Sequence, residues 1–158
     1  MRVAELWAES YQGEVLGETI FAFLAEREVD PERRRQLEVL TALERSTKDL
    51  AEAVFERNGY DRGDTAATVA AATAGAASAA DMSWTDFLAS IEPVADTFLT
   101  KYRELVALVD NHDDRAVAEA YVAHELALVE YARRALCTAS GDSVQPILDL
   151  PHVAAALR

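Results

Sequence analysis

Four long stretches of the chain carry apolar residues at intervals of three and four, the spacing that builds one face of an α-helix. The spacing predicts four helices, at about residues 3–27, 31–57, 83–109 and 115–137. Asp30-Pro31 is a favourable start signal for the second helix, and Asn58-Gly59 is a favourable stop after it. Pro93 lies inside the third, where we expect a kink or a restarted helix. Because no stretch of useful length shows the alternation typical of a β-strand, the sequence predicts an all-α fold.

A long connection, residues 61–82, separates the second predicted helix from the third. Its Ala-rich part follows Asp64-Thr65, a suitable cap, and favours a short helix with few bulky side chains. A connection of this length can run along a whole bundle, so we expect a crossover between two pairs of helices. The apolar tail at 141–158 is expected to pack on the bundle as a short helical extension. The predicted architecture is one domain, residues 1–158, forming a four-helix bundle with a helical crossover and a C-terminal helical tail.

Acidic residues outnumber basic ones by 28 to 15 in this chain of 158 residues, which gives a formal net charge of −13. We therefore expect no nucleic-acid partner and no membrane-surface partner, because both need a basic binding surface. The single cysteine, Cys137, cannot form a disulfide within the chain and is typical of a reducing compartment. The sequence shows neither a signal peptide nor a membrane-spanning segment, so a cytoplasmic protein is expected.

Ionisable residues interrupt the apolar faces of three predicted helices. Glu14 and Glu18 continue an aromatic-rich face of the first helix. Glu44 lies within the face of the second, and His124 within that of the fourth, whereas His152 is interpreted as a tail residue. A buried carboxylate must be neutral or meet a cation, so carboxylates from several helices of one bundle favour a shared metal ion. The alternative is that each glutamate reaches solvent at the edge of its face and that the histidine is a satisfied core residue.

An aromatic-x-Gly-Glu pattern occurs in the first helix, within residues 11–21, YQGEVLGETIF. This segment resembles the first helix of rubrerythrin-like members of the ferritin-like superfamily, in which the Glu is a metal ligand. The resemblance implies that Glu14 is a ligand and that Gly13 and Gly17 allow close approach of neighbouring helices. It also implies a ferritin-like bundle as the fold.

Two further segments match the family's Glu-x-x-His ligand pattern in part. In the second helix, Glu44 falls at the ligand Glu, and Thr47 stands at the His position. In the fourth helix, His124 matches the His, and Tyr121 stands in place of the Glu. The resemblance therefore implies a site built on Glu14, Glu44 and His124, with fewer donors than a site for two metal ions needs.

Several other residues are candidates for completing this site. Additional ligand candidates, as bridging or further carboxylates, are Glu18, Glu92 and Glu125. Candidates for hydrogen bonding around the ligands, or for redox-active phenols, are Tyr11, Thr47, Tyr121 and Tyr131. Two carboxylates and one histidine can hold a single metal ion with open coordination positions. The resemblance thus implies a protein that binds iron or manganese and reacts with dioxygen or peroxide, as an oxidoreductase or oxygenase with an unknown small-molecule substrate or redox partner.

A metal-free bundle is the second hypothesis, because Thr47 and Tyr121 replace two of the family's ligands. These side chains would then hydrogen-bond with the remaining carboxylates, and Glu44 could pair with Lys48 one turn later. Such a protein would act by binding a small ligand or a protein partner. The partner includes a second copy of the chain, for which the Ala-rich connection is a candidate interface. The Cys-rich iron module of rubrerythrins is not present in this sequence.

Overall fold

The computed structural model describes residues 2–137 and 141–158, and nearly all of these residues are helical. The helices are α1 (Arg2–Arg27), α2 (Pro31–Asn58), α3 (Thr65–Ala79), α4 (Trp84–Leu108), α5 (His112–Cys137), α6 (Gln145–Leu148) and α7 (Pro151–Ala156), with a 3-10 turn (Gly141–Val144) before α6. The described residues contain no β-strand, so the predicted all-helical class is confirmed. None of the described helices is both long and apolar enough to cross a lipid bilayer.

The boundary signals in the sequence cap the helices in the structure. Asp30 Oδ1 accepts a hydrogen bond from the backbone N–H of Arg33 (2.9 Å) in the first turn of α2. Gly59 ends α2 with a φ of 67°, a left-handed conformation that glycine adopts without steric penalty. Ser83 Oγ accepts from the backbone N–H of Asp86 (3.1 Å) at the start of α4. These local hydrogen bonds explain why the predicted bounds of α2 and α4 lie within one residue of those observed, and the bounds of α1 agree equally closely.

Two local features differ from the sequence-based prediction. α5 begins at His112, three residues before the predicted start near residue 115. The reason is Asn111, whose Oδ1 accepts hydrogen bonds from the backbone N–H groups of Asp113 and Asp114 and so caps the added turn. The restarted helix expected at Pro93 does not occur, because α4 continues through it. This proline is exposed, so water can reach the backbone carbonyl that loses its helical hydrogen bond.

The bundle consists of two helical pairs and a crossover. α1 packs along α2, and α4 packs along α5. The pairs join through contacts of α1 with α4 and of α2 with α5. α3 connects them and lies against α1, where it buries Ala72 and Ala76. On the face of α3 that meets α1, the small side chains therefore pack against another helix of the same chain.

The apolar core is divided into two clusters along the bundle. One cluster includes Leu40 and Leu43 of α2 and Leu128 of α5. The other includes Val54 of α2 and Tyr121 of α5. Buried polar residues lie between the clusters on both helices: Glu44, Thr47, His124 and Glu125. The fold thus places a polar layer in the middle of its core, where water cannot compensate an unpaired charge.

The C-terminal tail is part of this core. α6 and α7 pack on α2, and α6 also packs on α5. Val144, Ile147 and Val153 are at most 1% exposed and belong to the first apolar cluster. The tail therefore packs on the bundle, as its apolar residues predict.

Truncation of Ile147 to alanine is expected to lower the free energy of unfolding by about 2–5 kcal/mol, because it leaves a cavity in the core. Leu157→Ala is the matched control, since Leu157 is 53% exposed, and its effect should stay within about 0.5 kcal/mol. Urea unfolding followed by circular dichroism measures both. An Ile147→Ala protein as stable as the parent would mean that the tail does not fold cooperatively with the bundle.

Candidate metal centre

The centre of the polar layer is the imidazole of His124, which is fully buried between two carboxylates. Its Nδ1 lies 3.2 Å from Glu14 Oε2, and its Nε2 lies 3.3 Å from Glu44 Oε1. Glu14 belongs to α1, Glu44 to α2 and His124 to α5. The structure therefore brings together the three residues on which the resemblance builds its metal site.

Glu125 adds a third carboxylate from the same helix as His124. Glu14, His124 and Glu125 each offer one ligand atom, and these atoms lie within 4.8 Å of one another. All three residues are buried. Glu125 is 6% exposed, and its ligand atom lies beside those of Glu14 and His124, so its carboxylate can share a bound cation with them.

Burial and mutual repulsion shift the pKa values of the cluster. Burial raises the pKa of Glu44 well above its usual value, and the charge of Glu14 adds to the rise, while His124 opposes it. Burial likewise raises the pKa of Glu125 to about 8, again opposed by His124. Burial alone would lower the pKa of His124, but the three carboxylates outweigh it and raise that pKa well above its usual value. The cluster thus has an excess of negative charge that a proton or a metal cation must balance.

Two buried atoms of the cluster, Glu14 Oε2 and His124 Nε2, have no hydrogen-bond partner among the described residues. Glu14 Oε2 lies 3.2 Å from His124 Nδ1, and His124 Nε2 lies 3.3 Å from Glu44 Oε1, so each faces a group of opposite charge once His124 is protonated. The other oxygen of Glu14, Oε1, accepts a hydrogen bond from the Tyr102 hydroxyl (3.0 Å). In the neutral imidazole Nε2 carries a lone pair, and unpartnered lone pairs on buried oxygen and nitrogen atoms are the arrangement that a metal ion requires of its ligands.

Thr47 links the cluster to the C-terminal tail. Its Oγ1 lies 3.1 Å from His124 Nδ1 and 2.9 Å from His152 Nε2. The metal-free hypothesis placed Thr47 on the carboxylates, but its hydroxyl contacts two imidazoles instead. Burial lowers the pKa of His152, with a smaller contribution from the charge of His124. Sequence reasoning missed His152, because nothing in the spacing of α2 indicates which tail residue reaches it.

Two of the additional ligand candidates lie outside the cluster. Glu18 forms ion pairs with Arg45 (2.7 Å) and with Lys48. Lys48 therefore pairs with Glu18 across two helices, and not with Glu44 along one. Burial acts to raise the pKa of Glu18, but these hydrogen bonds outweigh it, and the pKa is lowered. Glu92 accepts a hydrogen bond from Arg133 Nε (3.2 Å) at the surface, so neither carboxylate needs a metal ion.

The predicted tyrosines do not donate to the cluster. Tyr11 donates to Glu52 (2.8 Å), and Tyr131 donates to Gln36 (2.9 Å). The Tyr121 hydroxyl has no partner in the described part of the chain, and its ring packs edge-on against Tyr102 at 5.0 Å between centroids. Tyr102 itself is the phenol that contacts a candidate ligand. In the sequence it is one of several apolar-face residues of α4, with no signal that singles it out.

The glycines of α1 allow two close approaches. A Cβ atom on Gly17 would collide with the Glu44 carboxylate. A Cβ atom on Gly13 would lie 2.7 Å from the Phe98 ring of α4. The two glycines therefore let Glu44 and Phe98 reach the backbone of α1, which agrees with their expected role in helix approach.

Replacement of Glu125 by glutamine is expected to change how the stability of the metal-free protein depends on pH. The folded protein holds the Glu125 proton up to about pH 8, whereas the unfolded chain releases it near 4.5. Stability therefore falls as pH rises between these values, by about 1.4 kcal/mol per pH unit for this proton. Glu125→Gln should remove this contribution and be more stable than the parent at pH 8.

Urea unfolding at a series of pH values, with a chelator present, measures the effect. Glu119→Gln is the control, since Glu119 is exposed on the same helix. Parallel pH profiles for the parent and Glu125→Gln would show that Glu125 is already ionised in the folded protein at neutral pH.

Comparisons with known proteins complete the description of the site. No protein-family model matches this chain, and searches of curated proteins and of solved structures gave no match either. The site is therefore interpreted from its own geometry and donor chemistry.

Proposed function

We propose that this protein is a ferritin-like metalloprotein that binds one iron or manganese ion at Glu14, His124 and Glu125, with Glu44 beside the imidazole at His124 Nε2. The observation that carries the proposal is the convergence of three buried carboxylates on one buried imidazole, with Glu14 Oε2 and His124 Nε2 unpartnered among the described residues. A divalent cation would balance most of the negative charge that burial otherwise makes unfavourable.

The oxygen and nitrogen donors of the site limit which metal ions it can bind. Carboxylate and imidazole donors suit iron, manganese and zinc, whereas sites for softer metals use sulfur. Cys137 is exposed at the end of α5 and does not belong to the cluster. The resemblance of residues 11–21 to a rubrerythrin-like helix favours iron and manganese within this group. Thr47 replaces one histidine of the two-metal pattern, which favours a single ion.

When bound, iron or manganese would supply one-electron chemistry with dioxygen or peroxide. The chain itself positions the ligands. Tyr102 donates to Glu14 Oε1 and holds that carboxylate in place. Thr47 hydrogen-bonds with His124 Nδ1 and fixes the orientation of the ring. The apolar clusters cover the layer on both sides and keep water from approaching the site through the core.

A metal-free interpretation is the second candidate, and the His124 contacts favour it. An imidazolium at His124 would lie 3.2 Å from Glu14 and 3.3 Å from Glu44, and so form a buried ionic triad. Its proton would then balance part of the charge that a metal ion would otherwise balance. The protein would act as a ligand-binding or protein-interaction module.

Metal analysis distinguishes the two candidates. After anaerobic loading with Fe²⁺ or Mn²⁺ and desalting, elemental mass spectrometry should find about one ion per chain in the parent protein. Glu14→Gln, His124→Asn and Glu125→Gln should lose it, because each removes a ligand. Glu125→Gln is the sharpest variant, because it is also expected to be the more stable protein at pH 8.

Glu18→Gln and Glu92→Gln are matched controls, because both residues are carboxylates that the structure places in ion pairs outside the cluster. Both variants should retain the metal ion. A parent protein that retains none, together with an imidazolium signal for His124 by NMR at neutral pH, would contradict the metal proposal and support the ionic triad.

A further inference from the structure

A pocket of about 200 Å³ lies between α1 and α4 and reaches the polar layer. Glu14, Glu44 and Glu125 lie on its wall, beside Tyr102. The pocket therefore gives a small molecule access to the same carboxylates that form the candidate metal centre.

Most of the wall is apolar, and its few uncharged polar groups already have partners. Ser90 Oγ donates to the backbone carbonyl of Phe87 (2.6 Å), and the Tyr102 hydroxyl donates to Glu14. Among the residues that the structure describes, no lysine, arginine or histidine lines the pocket. A ligand that carries hydrogen-bond acceptors would lose its hydration without finding a free donor, and an anionic ligand would also be repelled by the carboxylates.

The volume limits the size of the occupant. A dry cavity of about 150 Å³ lined by Leu, Ile and Phe binds benzene. The present pocket is of that order, and its apolar wall includes Ile20, Phe21, Ile91 and Leu128. It therefore has room for one ring with a small substituent, or for a short alkyl chain.

The mouth of the pocket is apolar as well. Leu16, Met82 and Val94 line it and are 37%, 42% and 55% exposed. Exposed apolar side chains around an opening are unfavourable in water and let an apolar molecule enter without losing polar contacts. An apolar path thus continues from the surface to the carboxylates.

We propose that this pocket binds an uncharged, apolar small molecule, about the size of a substituted benzene ring, and holds it beside Glu14 and Glu125. Binding itself follows from the pocket alone. The placement of the bound molecule next to a metal ion rests on the proposed function. Together they assign an uncharged apolar compound as the substrate class of the site.

A charge series of fluorinated compounds tests the proposal by ¹⁹F NMR. Fluorobenzene, 4-fluorobenzoate and 4-fluorobenzylamine share a ring and differ in charge. With chelator-treated full-length protein, fluorobenzene should bind, and the benzoate should not. The amine should bind more weakly than fluorobenzene, because the hydration that its ammonium group loses in the apolar channel outweighs its attraction to the carboxylates.

Val94→Trp tests the position of the ligand, since a large ring at this exposed residue covers the mouth without disturbing the core. It should weaken fluorobenzene binding by about tenfold or more. Leu126→Trp is the matched control, because Leu126 is 48% exposed on α5 and does not line the pocket. It should change the affinity by less than about twofold.

Loading with Mn²⁺ then tests the placement, because a paramagnetic ion broadens the ¹⁹F signal of a nearby ligand. Broadening is expected with Mn²⁺ and not with Zn²⁺. If no metal ion is retained but fluorobenzene still binds to the metal-free protein and is blocked by Val94→Trp, the binding proposal stands and the proposed function fails.

Four results would overturn the proposal itself. They are no fluorobenzene binding, equal binding to Val94→Trp, tighter binding of the amine than of fluorobenzene, and bound Mn²⁺ without broadening. A parent protein that sediments as a dimer, excludes fluorobenzene and becomes monomeric as Val94→Trp would assign the pocket mouth to a second copy of the chain.

Discussion

The structure depends on how it balances the charge of three carboxylates buried in the middle of its core. His124 is the only cationic group that touches Glu14 and Glu44 among the described residues. Three neighbouring residues hold His124 and these two carboxylates in this contact. Gly17 leaves room for the Glu44 carboxylate, Thr47 holds the imidazole, and Tyr102 holds Glu14. Charges desolvated to this degree are tolerated only where a proton or a metal ion compensates them. The same compensation therefore determines both the stability of the fold and the chemistry of the site.

The polar layer also fixes the register of the helices. Two apolar clusters meet at this layer. Many combinations of large apolar side chains could fill either cluster, so apolar packing alone does not specify the register. A carboxylate on α1 that must face an imidazole on α5 permits far fewer arrangements. A shift of one helical turn would leave buried charges unpaired, which is a larger penalty than the loss of a few apolar contacts. The polar layer thus favours one arrangement of the bundle over its alternatives.

Much of the fold and part of the site could be predicted because the signals lie within single helices. Apolar spacing and caps such as Asp30 and Ser83 give the helical bounds, and Glu44 and His124 stand out as ionisable residues on apolar faces. The spacing of apolar residues within one helix does not indicate which side chains of different helices contact each other. Glu18 lies on the same face as Glu14, yet it is half-buried and two cations of α2 neutralise it. His152 reaches Thr47 only because α7 folds back on α2, which depends on the packing of the tail and not on any local pattern.

The two helical pairs contribute complementary halves of the centre. The pair α1 and α2 brings the carboxylates Glu14 and Glu44 and the uncharged hydroxyl of Thr47, whereas the pair α4 and α5 brings the imidazole together with Glu125. Neither pair has a balanced site alone, and residues 59–83 are the covalent link between them. The centre therefore resembles an interface between two subunits that a linker has joined into one chain. Such an interface is well suited to fragment complementation, in which two separately made halves recognise each other through the charges that each one lacks.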